Sequence, residues 1–348
     1  MKVLYAIQGT GNGHVARARE IVPLLSQMCQ LDLFISGSNW QVALPYQVKY
    51  RSKGLSIFYN KSGGVSIRKT LARLRPAELL QEIRQLPVEK YDLVINDFEF
   101  ISAYAALLKG VPCVAFGHQA AFLFDATPRP RRRDWLGEFI LKHYAPAKYA
   151  IGLHFERYAP GIYTPIVRSE VRKLTPKEGR HFTVYLPHYD EQLLIKVFSE
   201  QTEYYWHVFT KNVKNIHNYG NVTLLPVDSK NFTQSLASSR GIVTGAGFES
   251  PAEAMFLGKK ILALPIKRQY EQKCNAKALK MMGITVIKKI GRRFSEKLRH
   301  WIENVPPVEV HYPNITQELL AEILAQPMQG AIYPLESFSL PLLRRVLL

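Results

Sequence analysis

The residues best suited to do chemistry come early, in IQGTGNGHVARARE at positions 7–20, directly behind the apolar run VLYAI. Gly9, Gly11 and Gly13 alternate with other residues, and His14 ends the loop. A strand, a glycine loop and a helix start form an anion site, because unpaired backbone N–H groups and the helix dipole point outward there. Histidine is the side chain best suited to accept a proton near neutral pH. The stretch therefore predicts a phosphate-binding loop with a general base at its mouth.

The same loop fails two common nucleotide motifs. The dinucleotide fingerprint requires a glycine where this chain has His14, and an acidic residue at the end of the second strand, where LDLFISGS has serines. The phosphate-loop NTPase motif requires Gly-Lys-Ser or Gly-Lys-Thr, and neither follows. Nicotinamide and ATP chemistry are disfavoured, and a tight turn without a ligand stays the alternative.

A second anion site is predicted in VTGAGFESPAEAMFLGKKILALPI, residues 243–266. An apolar strand meets a turn of small residues, and Ser250 and Pro251 are favourable residues for starting a helix. A helix start free of bulky side chains suits a diphosphate. Glu253 follows in the first turn, where it either accepts hydrogen bonds from ribose hydroxyls or only complements the helix dipole.

Three further pairs of polar residues follow predicted strands. VINDFEF carries Asp97 and Glu99, and either carboxylate could orient His14 or act as the base itself. FGHQAAF carries His118 and Gln119, which would contact an acceptor unless the histidine belongs to the core. PIKRQYEQKCNAKAL, residues 265–279, carries Glu271 and Gln272 where open α/β sheets bind ligands, although such a pair is also typical of a solvated loop.

The elements that must position these residues alternate between apolar runs and amphipathic stretches. KVLYAI, LDLFISG, YDLVIND and VPCVAFGH precede residue 130, and HFTVYLP, YYWHVFT, VTLLPV, GIVTGAG and KILALPI follow residue 180. This order predicts an α/β protein with two doubly wound, Rossmann-like domains facing a cleft. Prolines and glycines near 160–180 place the boundary there, giving domains 1–165 and 166–327 and a tail, 328–348, that could cross back.

The composition points to an anionic partner. The net charge is +18, which fits nucleic acid, a membrane surface or phosphorylated substrates. Within residues 129–142, four arginines flank Trp135, Phe139 and other apolar residues, as in a segment lying on an anionic bilayer or in a solvated charge run. The first residues read as a strand and not as a signal peptide, and no spanning run appears, so we expect a cytoplasmic protein. If the basic segment binds lipid, the protein would be peripheral on the inner face of the membrane.

Together, the loop with His14, the Gly-x-x-Ser-x-x-Glu helix start and the PI…EQ…NA pattern resemble the GT-B superfamily of nucleotide-sugar glycosyltransferases. The resemblance is nearest to the branch of UDP-glycosyltransferases and the peptidoglycan N-acetylglucosaminyltransferase, and it spans about residues 1–325. It implies an acceptor-side domain followed by a nucleotide-sugar-binding domain. The donor-binding residues that it implies are Gly245, Gly247, Phe248, Ser250, Glu253, Glu271 and Gln272. Gly245 stands where many relatives carry a histidine that touches the diphosphate.

The resemblance implies transfer of a hexose-type sugar from a UDP-sugar, or another nucleotide sugar, to an acceptor hydroxyl. It implies inversion, no metal and no cofactor beyond the donor as co-substrate. The acceptor would be a glycan or glycolipid, such as a lipid-linked or cell-envelope precursor. The residues that it implies are His14, Asp97 and Glu99 for catalysis, and Gly9, Gly11, Gly13, His118 and Gln119 for the acceptor and phosphate loop. A GT-B epimerase or hydrolase is one alternative, and a basic nucleic-acid-binding protein is another, although no known nucleic-acid module appears and no nucleic-acid partner is expected.

Overall fold

A computed structural model of the chain describes residues 1–9, 12–37, 44–54 and 76–329, with side chains of the last helix described to residue 325. Gly11, one of the predicted loop glycines, lies outside these residues. So does the predicted tail beyond residue 329.

The first half of the chain forms a seven-stranded parallel sheet in the order β3-β2-β1-β4-β5-β6-β7. Its strands are β1 Lys2–Gln8, β2 Gln30–Ser36, β3 Tyr50–Ser52, β4 Leu93–Asp97, β5 Cys113–Gly117, β6 Tyr149–Leu153 and β7 Ile162–Tyr163. The described helices are α1 Asn12–Met28, α2 Pro76–Gln85, α3 Phe100–Lys109 and α4 Trp135–His143, with 3₁₀ turns at Val88–Lys90 and Gln119–Leu123.

The second half forms another seven-stranded sheet, in the order β10-β11-β9-β8-β12-β13-β14. All neighbours are parallel except the β10–β11 pair. Its strands are β8 His181–Tyr185, β9 Tyr205–Thr210, β10 His217–Tyr219, β11 Val222–Pro226, β12 Gly241–Thr244, β13 Lys260–Ala263 and β14 Thr285–Val286. The helices are α5 Ser169–Arg172, α6 Glu191–Ser199, α7 Ser229–Ser238, α8 Glu249–Phe256, α9 Tyr270–Met281, α10 Phe294–Asn304 and α11 Thr316–Gln329.

The apolar runs of the sequence become strands buried on both faces. In β1, Val3 through Ile7 are fully buried, as expected for a parallel strand covered by helices on both sides. The two-sheet, doubly wound α/β architecture predicted from the sequence is confirmed. The described part of α11 packs against α1, so the chain returns to the first sheet before residue 328. The predicted domain boundary stays a prediction.

The topology brings the predicted site residues to the same edge of each sheet. In the first sheet, strand order reverses between β1 and β4, whose ends pair Ile7 with Asp97. In the second sheet, order reverses between β8 and β12, and β12 leads into α8. Ligands of open α/β sheets bind outside the carboxyl ends of the strands at such reversals.

Candidate active site

A cavity of about 360 Å³ lies between the carboxyl ends of the two sheets. One wall comes from the start of α1, the residue after β4, the 3₁₀ turn after β5, and α4. The facing wall comes from the starts of α8 and α9. We call these the base wall and the donor wall. The base wall includes Gly13, His14, Arg17, Phe98, His118, Gln119, Asp134, Leu136, Gly137, Ile140 and Leu141. The donor wall includes Gly247, Phe248, Glu249, Arg268, Glu271 and Gln272.

His14 lines the cavity and is held from behind by Asp97. The distance from His14 Nδ1 to Asp97 Oδ1 is 2.8 Å, and the Asp97 side chain is only 1% exposed. Because a carboxylate accepts, this contact is made by an Nδ1–H tautomer, which leaves Nε2 as the proton acceptor of the ring. The geometry is that of a general base oriented by a buried carboxylate.

Arg17 completes this arrangement, and sequence reasoning missed it. Its Nη2 donates to Asp97 Oδ1 at 2.6 Å, its Nε donates to Oδ2 at 3.2 Å, and the side chain is 3% exposed. Burial would raise the pKa of Asp97, but the charge of Arg17 and the neighbouring His14 hold that pKa below its ordinary value. Asp97 is therefore a carboxylate whose oxygens are occupied by a guanidinium and an imidazole.

Gly117, at the end of β5, makes room for this ion pair. Its φ is +141°, and a Cβ there would lie 2.8 Å from Asp97 Oδ1 and 3.0 Å from Arg17 Nη2. Any side chain would displace the carboxylate or the guanidinium. The glycine of the FGH motif is thus required by the network behind His14.

Glu249 joins the two walls, and it too was missed. Arg17 Nη1 donates to Glu249 Oε1 at 2.5 Å, so an α1 side chain pairs with the first residue of α8. A Cβ on Gly13 would lie 3.3 Å from Glu249 Cγ, so this glycine leaves space for a protein side chain. Burial raises the pKa of Glu249 to about 7 against the opposing charge of Arg17.

His118 of the base wall and Phe248 of the donor wall are in direct contact. Their rings stack with centroids 4.0 Å apart and planes 7° apart, and His118 Nε2 lies 2.9 Å from Asn275 Oδ1 in α9. Burial lowers the pKa of His118 to about 3, although its hydrogen bonds act in the other direction. Gln119 is 92% buried, and its Oε1 has no hydrogen-bond partner among the described residues. His118 packs against Phe248 while lining the cavity, and Gln119 has an acceptor oxygen without a protein partner, so their contact with an acceptor stays a prediction.

Comparison with known families decides what kind of protein carries this cavity. The profile of glycosyl transferase family 1 matches residues 1–306 of the 348. The chain belongs to glycosyl transferase family 1. It is a nucleotide-sugar glycosyltransferase of the GT-B fold, as the sequence patterns predicted. A search of curated proteins gave no match.

Solved structures of other glycosyltransferases share the fold over nearly the whole chain. UGT89C1 of Arabidopsis thaliana, in complex with quercetin, is 13% identical with a TM-score of 0.57, covering 95% of this chain and 96% of that one. UGT2 of Phytolacca americana, in complex with UDP-2fluoro-glucose and pterostilbene, is 13% identical with a TM-score of 0.54, covering 94% and 93%. The spinosyn forosaminyltransferase SpnP is 13% identical with a TM-score of 0.53, covering 100% and 99%.

Within this glycosyltransferase, Glu99 does not reach the cavity. It is fully buried and caps α3, where Oε1 accepts from Ile101 N at 2.9 Å and Oε2 accepts from Ser102 N at 2.6 Å. Asp97 and Glu99 are two residues apart, yet one faces His14 and the other satisfies a helix start. The structure gives Glu99 a structural position and not a catalytic one.

Of the predicted loop glycines, only Gly13 among those described lines the cavity. Gly9 is buried, and its N–H donates to Ser36 O at 2.5 Å, which ties the end of β1 to the end of β2. Gly13 and His14 are therefore the described residues of this loop that line the cavity, and phosphate binding by the loop stays a prediction.

The predicted donor residues fall into two groups. Gly247, Phe248, Glu271 and Gln272 line the cavity, and a Cβ on Gly247 would meet nothing within 4 Å. Gly245 lies behind them, where a Cβ would be 3.5 Å from Gln272 Oε1. Ser250 is the second residue of α8 and is not part of the cavity wall.

Glu253 also lies outside the cavity wall. It is 3% exposed, and Arg168 binds both its oxygens, Nε to Oε1 at 2.6 Å and Nη2 to Oε2 at 2.9 Å. The ribose role that the resemblance implies stays a prediction. It requires hydroxyls to share a carboxylate that already has a guanidinium partner.

The basic segment 129–142 has two faces. Arg129 is structural, because its Nε donates to Glu138 Oε1 at 2.9 Å and its Nη atoms donate to backbone carbonyls. The inner face of α4, with Leu136, Gly137, Ile140 and Leu141, lines the cavity. On the outer face Trp135 is 80% and Phe139 51% exposed, beside the exposed Arg131–Arg133.

The described residues bear on two of the remaining predictions, membrane association and metal independence. They contain no helix long and apolar enough to cross a membrane. They also contain no cluster of three His, Cys, Asp or Glu side chains placed to hold a metal ion. Metal independence and membrane association both stay predictions.

Proposed function

We propose that this glycosyltransferase moves a hexose-type sugar from a UDP-sugar to an acceptor hydroxyl, with inversion and without a metal. The observation that carries the proposal is the His14–Asp97–Arg17 arrangement on one wall, facing the starts of α8 and α9 on the other. In this arrangement a base and a site for a leaving diphosphate lie on opposite sides of one cavity.

His14 takes the acceptor proton through Nε2. The deprotonating oxygen attacks the anomeric carbon from the side opposite the diphosphate, the new C–O bond forms, and the bond from the anomeric carbon to the phosphate oxygen breaks. Asp97 stabilises the imidazolium that results and fixes its orientation. Because Asp97 lies behind His14 with both oxygens occupied, His14 is the base and Asp97 the positioning residue.

The leaving diphosphate is bound by backbone N–H groups at the start of α8, where Gly247 leaves the approach open. Glu271 and Gln272 face the sugar from the start of α9. UDP as the nucleotide is supported by likeness of fold to UGT89C1, which has been solved with UDP.

We propose an acceptor with an apolar part, such as a lipid-linked glycan precursor, presented at the inner face of an anionic membrane. The inner face of α4 gives the cavity an apolar side, and the outer face of the same helix exposes Trp135 and Phe139 next to Arg131–Arg133. An exposed aromatic and basic surface of this kind binds the interface of anionic bilayers.

The donor proposal is tested by thermal-shift and turnover assays over UDP-, GDP- and TDP-sugars. A donor at 100 times its dissociation constant adds about 2.7 kcal/mol of stability, so the binding nucleotide is identified before the acceptor is known. We expect UDP-sugars to stabilise the protein and the product to have the opposite anomeric configuration to the donor. Stabilisation by none of them, or retention of configuration, contradicts the proposal.

The membrane proposal is tested by co-sedimentation with vesicles of phosphatidylcholine, with and without phosphatidylglycerol. We expect binding only with the anionic lipid, and loss of binding in the Trp135→Ser/Phe139→Ser variant. The matched control is Ile216→Ser/Tyr219→Ser, since these side chains are 62% and 44% exposed at the edge of the second sheet. Equal binding by both double variants contradicts the role of α4.

A further inference from the structure

The charged side chains on the cavity walls do not suit the proposed donor. Three carboxylates and two guanidinium groups line the cavity: Asp134, Glu249, Glu271, Arg17 and Arg268. A nucleoside diphosphate adds further negative charge to this set. Although the chain carries +18 in total, that excess is not concentrated at the site. A diphosphate in this cavity would therefore be bound more tightly if a cation that no protein carboxylate already binds could reach it.

Arg17 is not that cation. Its Nε and Nη2 are bound to Asp97 and its Nη1 to Glu249, and only 3% of the side chain is exposed. Recruiting it for a phosphate would break the ion pair that orients His14 through Asp97.

Arg268 is differently placed. It lies in the loop between β13 and α9, is exposed, and lines the cavity. Among the described residues, its guanidinium has no hydrogen-bond or ion-pair partner. Its neighbour Lys267 is also exposed but is not among the residues that line the cavity.

The backbone at Arg268 is strained. Its φ is +67°, in the left-handed region that side chains other than glycine rarely adopt. Among the described residues, only Phe98 and Arg268 combine a side chain with a positive φ, and both line this cavity. Strained residues of this kind cluster at ligand-binding sites. An arginine held in a conformation that suits glycine indicates that its side chain is needed there.

We propose that Arg268 binds the diphosphate of the donor and stabilises the charge of the leaving nucleotide. Its planar guanidinium donates two hydrogen bonds to phosphate oxygens that the amides at the start of α8 do not cover. This inference rests on the proposed function, because it requires a nucleoside diphosphate in the cavity.

The test compares three variants of the full chain by calorimetric titration with UDP and with uridine. Arg268→Gly removes both the positive charge and the backbone strain. Arg268→Lys keeps the charge but cannot donate two parallel hydrogen bonds from one planar group. Lys267→Ala removes the adjacent charge and is the control. We expect UDP to bind Arg268→Gly about 10- to 100-fold more weakly than the wild-type chain. The affinity of Arg268→Lys for UDP should lie between those of Arg268→Gly and the wild type. The affinity of Lys267→Ala for UDP should differ little from that of the wild type. Uridine should bind all four proteins equally.

The thermal midpoint separates this role from a structural one. Since glycine fits a φ of +67°, Arg268→Gly should unfold at the same temperature as the wild type or higher while binding UDP more weakly. Unchanged UDP affinity in Arg268→Gly, with normal binding by the wild type, overturns the inference and leaves the proposed function intact. Failure of the wild type to bind any of UDP, GDP and TDP overturns both.

Discussion

The base wall and the donor wall of the cavity use their polar groups differently. On the base wall, His14 and Arg17 are both bound to Asp97, and behind this wall the ion pair leaves no space for a side chain at Gly117. On the donor wall, Gly247 faces open space and Arg268 has no partner among the described residues. The base wall is therefore part of the folded core, whereas the donor wall keeps groups available for a ligand.

This difference separates two kinds of substitution. Changes on the base wall should affect turnover and stability, because they disturb buried charges. Changes at Gly247 and Arg268, the donor-wall residues without a protein partner, should affect binding and leave stability unaltered. Glu249 is the exception on this wall, because it is paired with the buried Arg17.

Replacing the base should have the largest effect on activity. We expect His14→Ala to lower kcat about 10²- to 10⁴-fold, the range for losing general-base catalysis. Steady-state kinetics measure this, with His311→Ala as the control, since His311 is exposed and outside this cavity. Near-normal turnover by His14→Ala would make the histidine a packing residue and end its assignment as the base.

Removing Arg17 should have the largest effect on stability. Arg17→Met leaves the buried carboxylate of Asp97 without its guanidinium, and losing one partner of a buried pair costs about 3–5 kcal/mol. Denaturant unfolding measures the loss. The double variant Arg17→Met/Asp97→Leu should recover part of it, because no charge then stays unpaired. If Arg17→Met has the same free energy of unfolding as the wild type, the pairing of Arg17 with Asp97 does not stabilise the fold.

A methyl group at Gly247 should affect only the donor. Nothing in the described protein lies within 4 Å of a Cβ there, so Gly247→Ala should unfold at the wild-type temperature. A bound diphosphate would meet the methyl group, and we expect KM for the donor to rise about 10-fold or more. Gly291→Ala is the matched control, because its Cβ would meet only Lys289 Cε at 3.9 Å, away from the cavity. Equal KM values for the two variants would show that no ligand approaches Gly247.

Replacing Glu249 should change the stability of the protein by the smallest amount, and that change should depend on pH. Its pKa is raised from 4.5 to about 7, so between these values the folded state keeps a proton that the unfolded state has lost. The wild type therefore loses stability as pH rises from 4.5 to 7. We expect Glu249→Gln to match the wild type near pH 4.5 and to be more stable at pH 8, by an amount on the order of 1 kcal/mol. A Gln variant that is less stable at pH 8 would mean that the ion pair with Arg17 outweighs burial.

Much of the fold could be predicted because the apolar runs become strands buried on both faces, as β1 does. Five of the described strands were not predicted: β3, β7, β10 and β14, which are two or three residues long and lie at the edges of the sheets, and β6, an internal strand that follows the basic segment. His14 and Asp97 were found because each follows a buried strand. Glu99 was grouped with Asp97 since sequence alone does not show that its carboxylate caps α3.

The missed residues depend on contacts between distant parts of the chain. Arg17 pairs with Asp97, 80 positions away, and with Glu249, 232 positions away. The one local signal is that Arg17 follows His14 by three residues, which places both on one face of α1. Arg268 gives no sequence signal, because its importance appears only in its φ and its place on the cavity wall.

A crystal structure of the protein with 5-bromo-UDP, whose bromine locates the nucleotide by anomalous scattering, would show directly whether the two walls bind the donor as proposed. We predict the diphosphate within hydrogen-bond distance of the backbone N–H groups at residues 247–250 and of the Arg268 guanidinium, with His14 Nε2 facing the space beyond the β-phosphate. A nucleotide bound outside the cavity, or with its diphosphate remote from the start of α8, would contradict the account.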